Sequence, residues 1–361
     1  MVSLYVNNCE LGKPTGDGSV GKHELNALST LGEVIVLDAG VLRKYNPTND
    51  PFLQDYFCSE FIKKIKDIEL AHFYGGPYNL AVQQLKQRGI KTIVTMQAHD
   101  RALTMQEHDK WFGAGSYPFM HVKDDGLWEI YTAHLRTCDR VIAASTHSKE
   151  NMIRDMHVPE SKITTILHGC EIPAAVVPLP DRFTVGYMSQ VGPDKGLIYL
   201  IQAWSELGYK DSELILAGDG TDSPFVESLI KQLAPNGRFR LLGRVVNPSD
   251  VYNACSVMVQ PSVTEGMGIT IVESLAHGRP VITTRNCCGG DVIDHTYNGS
   301  IVPVRDAGLI ANSIRIFREM PRCDLGAMSQ NSRASSLRYS WTVVEGEYVK
   351  LYNEVLGKWA K

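Results

Sequence analysis

The sequence predicts an α/β protein built from two doubly wound domains, each a parallel sheet covered by helices on both faces. Three observations carry this. Short, near-continuous apolar runs alternate with helical patterns along the whole chain, the mark of strands buried on both faces. The alternation occurs as two series, separated by the proline-rich stretch PAAVVPLPD at 173–181, which suits a linker. The chain has 361 residues, and at roughly 100–200 residues per domain this favours two domains. The expected division is a first domain over 1–173, a linker over 174–181, a second domain over 182–340, and a terminal helix over 341–361.

In the first series the expected strands are VSLYV (2–6), EVIVLD (33–38), IELAHF (68–73), KTIVTM (91–96), RVIAAS (140–145) and ITTIL (163–167). In the second they are FTVGYM (183–188), ELILAG (213–218), RFRLLG (238–243), VMVQP (257–261), PVITT (280–284) and SIVPV (300–304). The last segment places Trp341, Val344, Tyr348, Leu351, Tyr352, Val355 and Trp359 at helical spacing. Such a helix either docks on one domain or crosses back to strap the two together. The stretch HDRALTMQEHDKWFGAGSYPFMHVKDD (99–125) reads as a long aromatic loop, with Trp111, Phe112, Tyr117 and Phe119 as a lid, a sugar platform or a small core of their own. Asp124 and Asp125 are expected at the start of the helix that follows.

Composition narrows the function classes. Hydrophobic residues make up 43% and charged residues 21%, an ordinary globular balance, and the net charge of −4 gives no basic footprint for nucleic acid. No run approaches the roughly 18 apolar residues of a membrane span. The N-terminus lacks the basic and apolar regions of a signal peptide. The eight cysteines show no metal-ligand spacing and are expected to be reduced. A cytoplasmic location follows as the expectation. EFIKKIKDIEL (60–70) sets Lys63, Lys64 and Lys66 beside Phe61, Ile62 and Ile65. It reads as a solvated helix, and leaves room for a peripheral membrane contact.

GDGSVGKH (16–23) imitates two motifs. Gly16, Gly18 and Gly21, with Asp38 twenty residues after Gly18, resemble a dinucleotide fingerprint; Gly16, Gly21 and Lys22 resemble a P-loop whose hydroxyl residue is replaced by His23. Both motifs need the glycines directly after a strand, and NNCELGKPT intervenes. The weaker expectation is a glycine loop opening the helix KHELNALSTL, able to present backbone N–H groups to an anion, or a plain turn.

EGMGITIVE (265–273) carries Glu265 and Glu273 eight positions apart. ITIVESLAHG (269–278) has a helix's period and ends at Gly278, so the helix begins near Gly268. Gly268, Ile269 and Thr270 then offer unpaired N–H groups at the carboxyl edge of the sheet, where α/β proteins bind ligands. Glycines at 266 and 268 let a diphosphate approach the backbone, and the two carboxylates flank it to accept hydrogen bonds from hydroxyls on either side. A phosphate between two hydroxyl-bearing groups describes a nucleotide sugar. The competing readings are a capped helix with two solvated acids, and a hydrolase carboxylate pair, for which nothing raises one pKa selectively.

PSVTEGMGITIVESLAHGRPVITT resembles the E-x7-E signature of the retaining GT-B glycosyltransferases of the GT4 type, and its neighbours match in order. These are TVGYMSQVGPDKGL (184–197), LAGDG (216–220), LLGRVVNPSDVYNACSVMVQPS (241–262) and GGDVIDHTYNGSIVPVRD (289–306). HGCEIP (168–173) stands where the family ends its first domain. The resemblance covers 184–306 specifically and the first half more loosely. It implies two Rossmann-like domains facing across a cleft. It implies that Glu273 accepts the ribose hydroxyls, Glu265 contacts the transferred sugar, and Gly268, Ile269 and Thr270 hold the distal phosphate. Lys195 neutralises the leaving diphosphate, and Gly243, Arg244 and Val245 meet the base. The family pairs the lysine with an arginine where this chain has Gln190; Arg244 is a candidate substitute. Gly16 and Gly18 resemble the loop that touches the phosphates, and His99, at the end of a strand of the first domain, resembles the active-site histidine.

The implied activity is transfer of a hexose from a UDP-, GDP- or ADP-type sugar to a glycan, lipid, protein or small-molecule hydroxyl. It proceeds with retention, without a cofactor, and without a metal, since no D-x-D pair is present. An epimerase, a phosphorylase and a silent nucleotide-sugar binder stand as alternatives, with a nicotinamide oxidoreductase behind them.

Overall fold

The computed structural model describes residues 1–7, 9, 11, 16–44, 50–112 and 125–358. These form two compact units: 1–98, 125–169 and 341–358 make the first, and 99–112 with 170–340 make the second.

The first unit holds a six-stranded parallel sheet in the order β2-β1-β3-β4-β5-β6. Its strands are β1 (Val2–Asn7), β2 (Glu33–Leu37), β3 (Ile68–Tyr74), β4 (Lys91–Met96), β5 (Arg140–Ala143) and β6 (Ile163–Thr165). The helices of this part are α1 (Gly16–Ser29), α2 (Ala39–Leu42), α3 (Pro51–Lys64), α4 (Asn79–Gln87), then α6 (Asp125–Thr137) and α7 (Thr146–Arg154), with α5 (Arg101–Phe112) lying in the second unit. Leu4, Val6, Phe73, Val94 and Val141 bury their side chains under Ile62, Leu85 and Leu135 of the covering helices. Each such side chain contributes about 1.5–3 kcal/mol of burial.

The second sheet runs β12-β11-β10-β7-β8-β9, again all parallel. Its strands are β7 (Thr184–Met188), β8 (Glu213–Ala217), β9 (Phe239–Gly243), β10 (Val257–Gln260), β11 (Val281–Thr283) and β12 (Gly299–Ile301). Its remaining helices are α8 (Leu197–Leu207), α9 (Pro224–Leu233), α10 (Pro248–Ala254), α11 (Ile269–Ala276), α12 (Gly289–Val292), α13 (Ala307–Glu319) and α14 (Arg322–Ser336). All twelve apolar segments read from the sequence carry a strand. The strand order reverses between β7 and β10, and the carboxyl ends of strands at such a switch point are where open α/β sheets form a ligand crevice.

The C-terminal helix α15 (Trp341–Val355) is part of the first unit. Its predicted stripe is buried at Trp341, Val344, Tyr348, Leu351 and Tyr352; Trp359 lies outside the described residues. A buried polar chain ties it in. Tyr352 Oη lies 2.8 Å from His72 Nδ1, His72 Nε2 lies 2.9 Å from Thr95 Oγ1, and Thr95 Oγ1 donates to Glu24 Oε1 at 2.6 Å. Tyr5 Oη donates to the other Glu24 oxygen at 2.7 Å. Burial pushes Glu24 up to about 8 and His72 down to about 3, so both sit neutral at pH 7.

Three expectations are corrected. GDGSVGKH is not a loop but lies inside α1. A Cβ on Gly21 would stand 2.0 Å from Asn7 Nδ2, so glycine there serves close packing of α1 on the end of β1. His23 and Asp38, the other members of the two imitated motifs, are structural. His23 Nδ1 lies 2.6 Å from Glu345 Oε1 and its ring stacks on Trp341, while Asp38 caps α2 by accepting from Val41 N. The segment 99–125 is not strandless loop throughout, because 101–112 is helical with Asp100 accepting from Leu103 N at 2.8 Å. Tyr117, Phe119 and Asp124 of that segment lie outside the described residues. EFIKKIKDIEL is helical only to Lys64; Asp67 turns at φ +60°, and β3 follows.

Candidate functional site

The crevice of the second sheet gathers most of the candidate residues. After β7, the chain passes Gln190 and a 3₁₀ turn over Pro193–Lys195. Gly196 then takes φ +70°, and a Cβ there would lie 2.0 Å from Pro261 O. Only glycine lets the β7 loop approach the β10 loop so closely, and this contact sets Lys195 beside Glu265.

Lys195 is 7% exposed. Its Nζ lies 2.9 Å from Glu265 Oε1 and 3.2 Å from Asp194 Oδ2. Burial opposes the charged ammonium, but the two carboxylates outweigh it, and the net direction of its pKa is up. Asp194 moves down: burial works against its charge, and Lys195 and His99 overcome that. His99 Nδ1 lies 3.6 Å from Asp194 Oδ2. His99 was expected on the first domain's side; it belongs to the second unit, with 99–112. The geometry of His99, Asp194, Lys195 and Glu265 is therefore internal to one unit.

The β10 loop is held by its own hydrogen bonds. Ser262 Oγ donates to Glu265 Oε2 at 2.8 Å, and Gln260 Nε2 donates to Ser262 Oγ at 3.2 Å. Val263 N donates to Asp194 O at 2.7 Å, and Asp100 N to Thr264 Oγ1 at 2.9 Å. Gly268 sits at φ +85° as the residue before α11, whose start no side chain caps. Ile269 and Thr270 open that helix and are partly exposed, leaving the positive helix end available to an anion. One turn inside, Glu273 accepts from Tyr252 Oη at 2.5 Å. Burial raises the Glu273 pKa and the tyrosine bond restrains the rise. His277 Nδ1, one turn later, lies 2.7 Å from Glu273 O.

Gln190, Asp219 and Arg244 follow the ends of three adjacent strands. Gly218 takes φ +118°, with the site of a Cβ only 2.1 Å from Ser189 O, and its N–H donates to Gly243 O at 2.8 Å. Gln190 is exposed, Val245 is partly exposed, and the Arg244 guanidinium is exposed with Nε 3.9 Å from Asp219 Oδ1. Gly16 and Gly18 lie in the first turn of α1, in the first unit. Among the described residues, no group of three or more His, Cys, Asp or Glu is placed to hold a metal ion, and no helix is long and apolar enough to cross a membrane.

Sequence reasoning missed Asp194, Ser262 and Tyr252. Asp194 had a signal, being adjacent to Lys195 in the turn. Tyr252 had none, because its partner Glu273 lies on another element, 21 residues on; Ser262, three residues before Glu265, is a local contact that depends on how the loop turns.

Residues 182–318 match the family model of Glycosyl transferases group 1. An alpha-monoglucosyldiacylglycerol synthase of Acholeplasma laidlawii is 28% identical over 182 residues, 49% of this chain and 45% of that protein. The capsular polysaccharide biosynthesis glycosyltransferase CapM of Staphylococcus aureus is 30% identical over 183 residues, 49% of this chain and 48% of that protein. The chain spans about half the length of these relatives, and 64% of an uncharacterised glycosyltransferase of Methanocaldococcus jannaschii at 26% identity over 63% of this chain. Among solved structures, a glycosyltransferase from Rickettsia africae superposes with a TM-score of 0.74 at 18% identity over 98% of both chains. HepE of Anabaena, crystallised with UDP-glucose, superposes at 0.74 with 17% identity, over 98% of this chain and 99% of that one.

Two six-stranded parallel sheets of this order define the GT-B glycosyltransferase fold. Within it, the match to the group 1 glycosyltransferases is carried by residues 182–318 of the second unit.

Proposed function

We propose that the protein transfers a hexose from a nucleoside-diphosphate sugar to an acceptor hydroxyl, with retention of configuration and without a metal ion. The observation that carries this is Lys195, held charged in a buried position beside Glu265. Gly268 and the uncapped start of α11 lie just beyond that glutamate in the chain. A cation and a helix start together supply the field that a leaving diphosphate requires.

In this reading the N–H groups of Gly268, Ile269 and Thr270 bind the distal phosphate, and Lys195 turns from its carboxylates toward the diphosphate. Glu265, steadied by Ser262, accepts from hydroxyls of the sugar. Glu273, oriented by Tyr252, accepts from the ribose. Arg244 and Val245 border the base, and Arg244 takes the part that uncharged Gln190 cannot. His99, set by Asp194, borders the transferred sugar. The bond from the anomeric carbon to the phosphate oxygen breaks, and the acceptor oxygen bonds to that carbon on the same face. The departing phosphate oxygen takes the acceptor's proton.

HepE binds UDP and UDP-glucose, which makes a UDP sugar the first donor to test; GDP and ADP sugars follow. The acceptor is a glycan, lipid, protein or small-molecule hydroxyl. A second reading, a nucleotide-sugar binder without turnover, draws on the exposed neutral Gln190. The test is a thermal-shift panel of UDP, GDP, ADP, TDP, CDP and NAD, each with and without EDTA. A ligand at about a hundred times its dissociation constant stabilises by about 2.7 kcal/mol. One nucleoside diphosphate is expected to stabilise the protein regardless of EDTA. Stabilisation by NAD alone, or only before EDTA, would sink the reading. Product formation from the matching sugar then separates enzyme from silent binder.

A further inference from the structure

The chain leaves the first unit after residue 98, contributes 99–112 to the second unit, and is back in the first unit by residue 125. Something must hold this excursion in place, and the holding group is a carboxylate. Glu107, near the far end of α5, is 0% exposed. Arg305 Nε donates to its Oε1 at 2.6 Å. Trp111 Nε1 donates to Oε2 at 3.0 Å, and Tyr199 Oη lies 3.0 Å from Oε2 and 3.2 Å from Oε1. These donors come from α5 itself, from α8, and from the turn after β12. A buried carboxylate with a charged partner and two neutral donors is fully satisfied. The Arg305 backbone stands at φ +63°, a conformation that costs a non-glycine residue of the order of 1 kcal/mol or more. Lys110 Nζ donates to Tyr199 Oη at 3.0 Å and sits 4.8 Å from the Trp111 ring centre, closing the cluster from outside.

The other end of α5 enters the candidate site. Asp100 N donates to Thr264 Oγ1, beside Glu265, and His99 faces Asp194 at 3.6 Å. A rigid helix joins the two ends, so its anchor sets the position of its start.

We propose that Glu107 is a positioning residue: by gathering Arg305, Trp111 and Tyr199 it moors α5 to the second unit and thereby fixes His99 and the Thr264–Glu265 turn for the transfer. Its part in turnover rests on the transferase reading above; its mooring of α5 does not. Two measurements on the full chain separate these. Hydrogen exchange is compared among wild type, Glu107→Gln, Glu107→Ala and Arg305→Ala. Amides of 99–112 and 262–265 are expected to exchange at least about tenfold faster in the variants, with β7, β8 and β10 unchanged. Equal exchange in 99–112 overturns the mooring, and general loss of protection in Glu107→Ala is checked against the milder Glu107→Gln and Arg305→Ala. The second measurement is UDP release from UDP-glucose. Loss of positioning lowers kcat by up to about 100-fold while KM stays within about twofold, and Arg305→Lys restores most of it. A kcat that is unchanged, or that falls only with melting temperature, overturns the positioning role. If wild type is neither stabilised by UDP nor releases it from UDP-glucose, the failure lies with the proposed UDP-sugar donor, and the exchange data still decide whether Glu107 moors the helix.

Discussion

Lys195 shows how one side chain is tuned by its neighbours. Its charge is stable in a buried place only because Asp194 and Glu265 stand within 3.2 Å of its nitrogen. Removing the cation leaves both acids uncompensated. Lys195→Ala is therefore expected to cost about 3–5 kcal/mol in urea unfolding and to lower transfer by about 100-fold or more. Loss of stability without loss of transfer would mean that Lys195 is structural. Glu273 makes the complementary test. Its carboxylate is already oriented by Tyr252, so Glu273→Ala is expected to abolish the thermal shift given by the stabilising nucleotide while leaving the unliganded protein within about 1–2 kcal/mol of wild type. A shift that survives would remove Glu273 from the nucleotide site.

Among the elements, α1 and α15 share a buried polar chain whose proton count differs between folded and unfolded states. Glu24 is raised to about 8 when folded, against about 4.3 unfolded. Its contribution is fully present below the unfolded value. It falls by about 1.4 kcal/mol per pH unit as pH rises toward 8, since the folded state then keeps a proton the unfolded state has lost. His72 works in the opposite sense: lowered to about 3, it costs stability as pH falls below about 6.5. Between about pH 6.5 and 8 only the Glu24 slope acts within this chain of bonds. Glu24→Gln is expected to remove that slope, as measured by urea midpoints at pH 6.5, 7.25 and 8. A parallel slope in wild type and variant would show that Glu24 is ionised when folded. The element most misjudged from the sequence is α5. Its segment ends among glycines and aromatics, and its faces lack a clean helical period, because Glu107 and Thr104 are buried against partners that the local pattern does not show.

At the scale of the molecule, the two units are not two consecutive stretches of chain. The first includes 341–358 and the second includes 99–112. A chain ending at Ser340 would strip Trp341, Tyr348 and Tyr352 from the first unit and expose the Glu24 chain of bonds. Limited proteolysis of such a truncation is expected to cut first within 1–98 and 125–169, while 170–340 stays protected. Equal protection in both units would make α15 dispensable.

The sequence by itself determined the twelve strands, their division into two series, and the helix start at Gly268, because these are written in local periodicity and in residue types that restrict the backbone. It also determined that Glu265 and Glu273 flank a helix start, which is a matter of spacing along one segment. Only the tertiary structure decided what those carboxylates touch, which unit owns His99, and why GDGSVGKH is packed helix and not a phosphate loop. Arg305 meets Glu107 across 198 residues of sequence, and Tyr352 meets His72 across 280. Contacts of that separation are set by strand order and by the close approach of loops at Gly196 and Gly218, and no local pattern of residues encodes them.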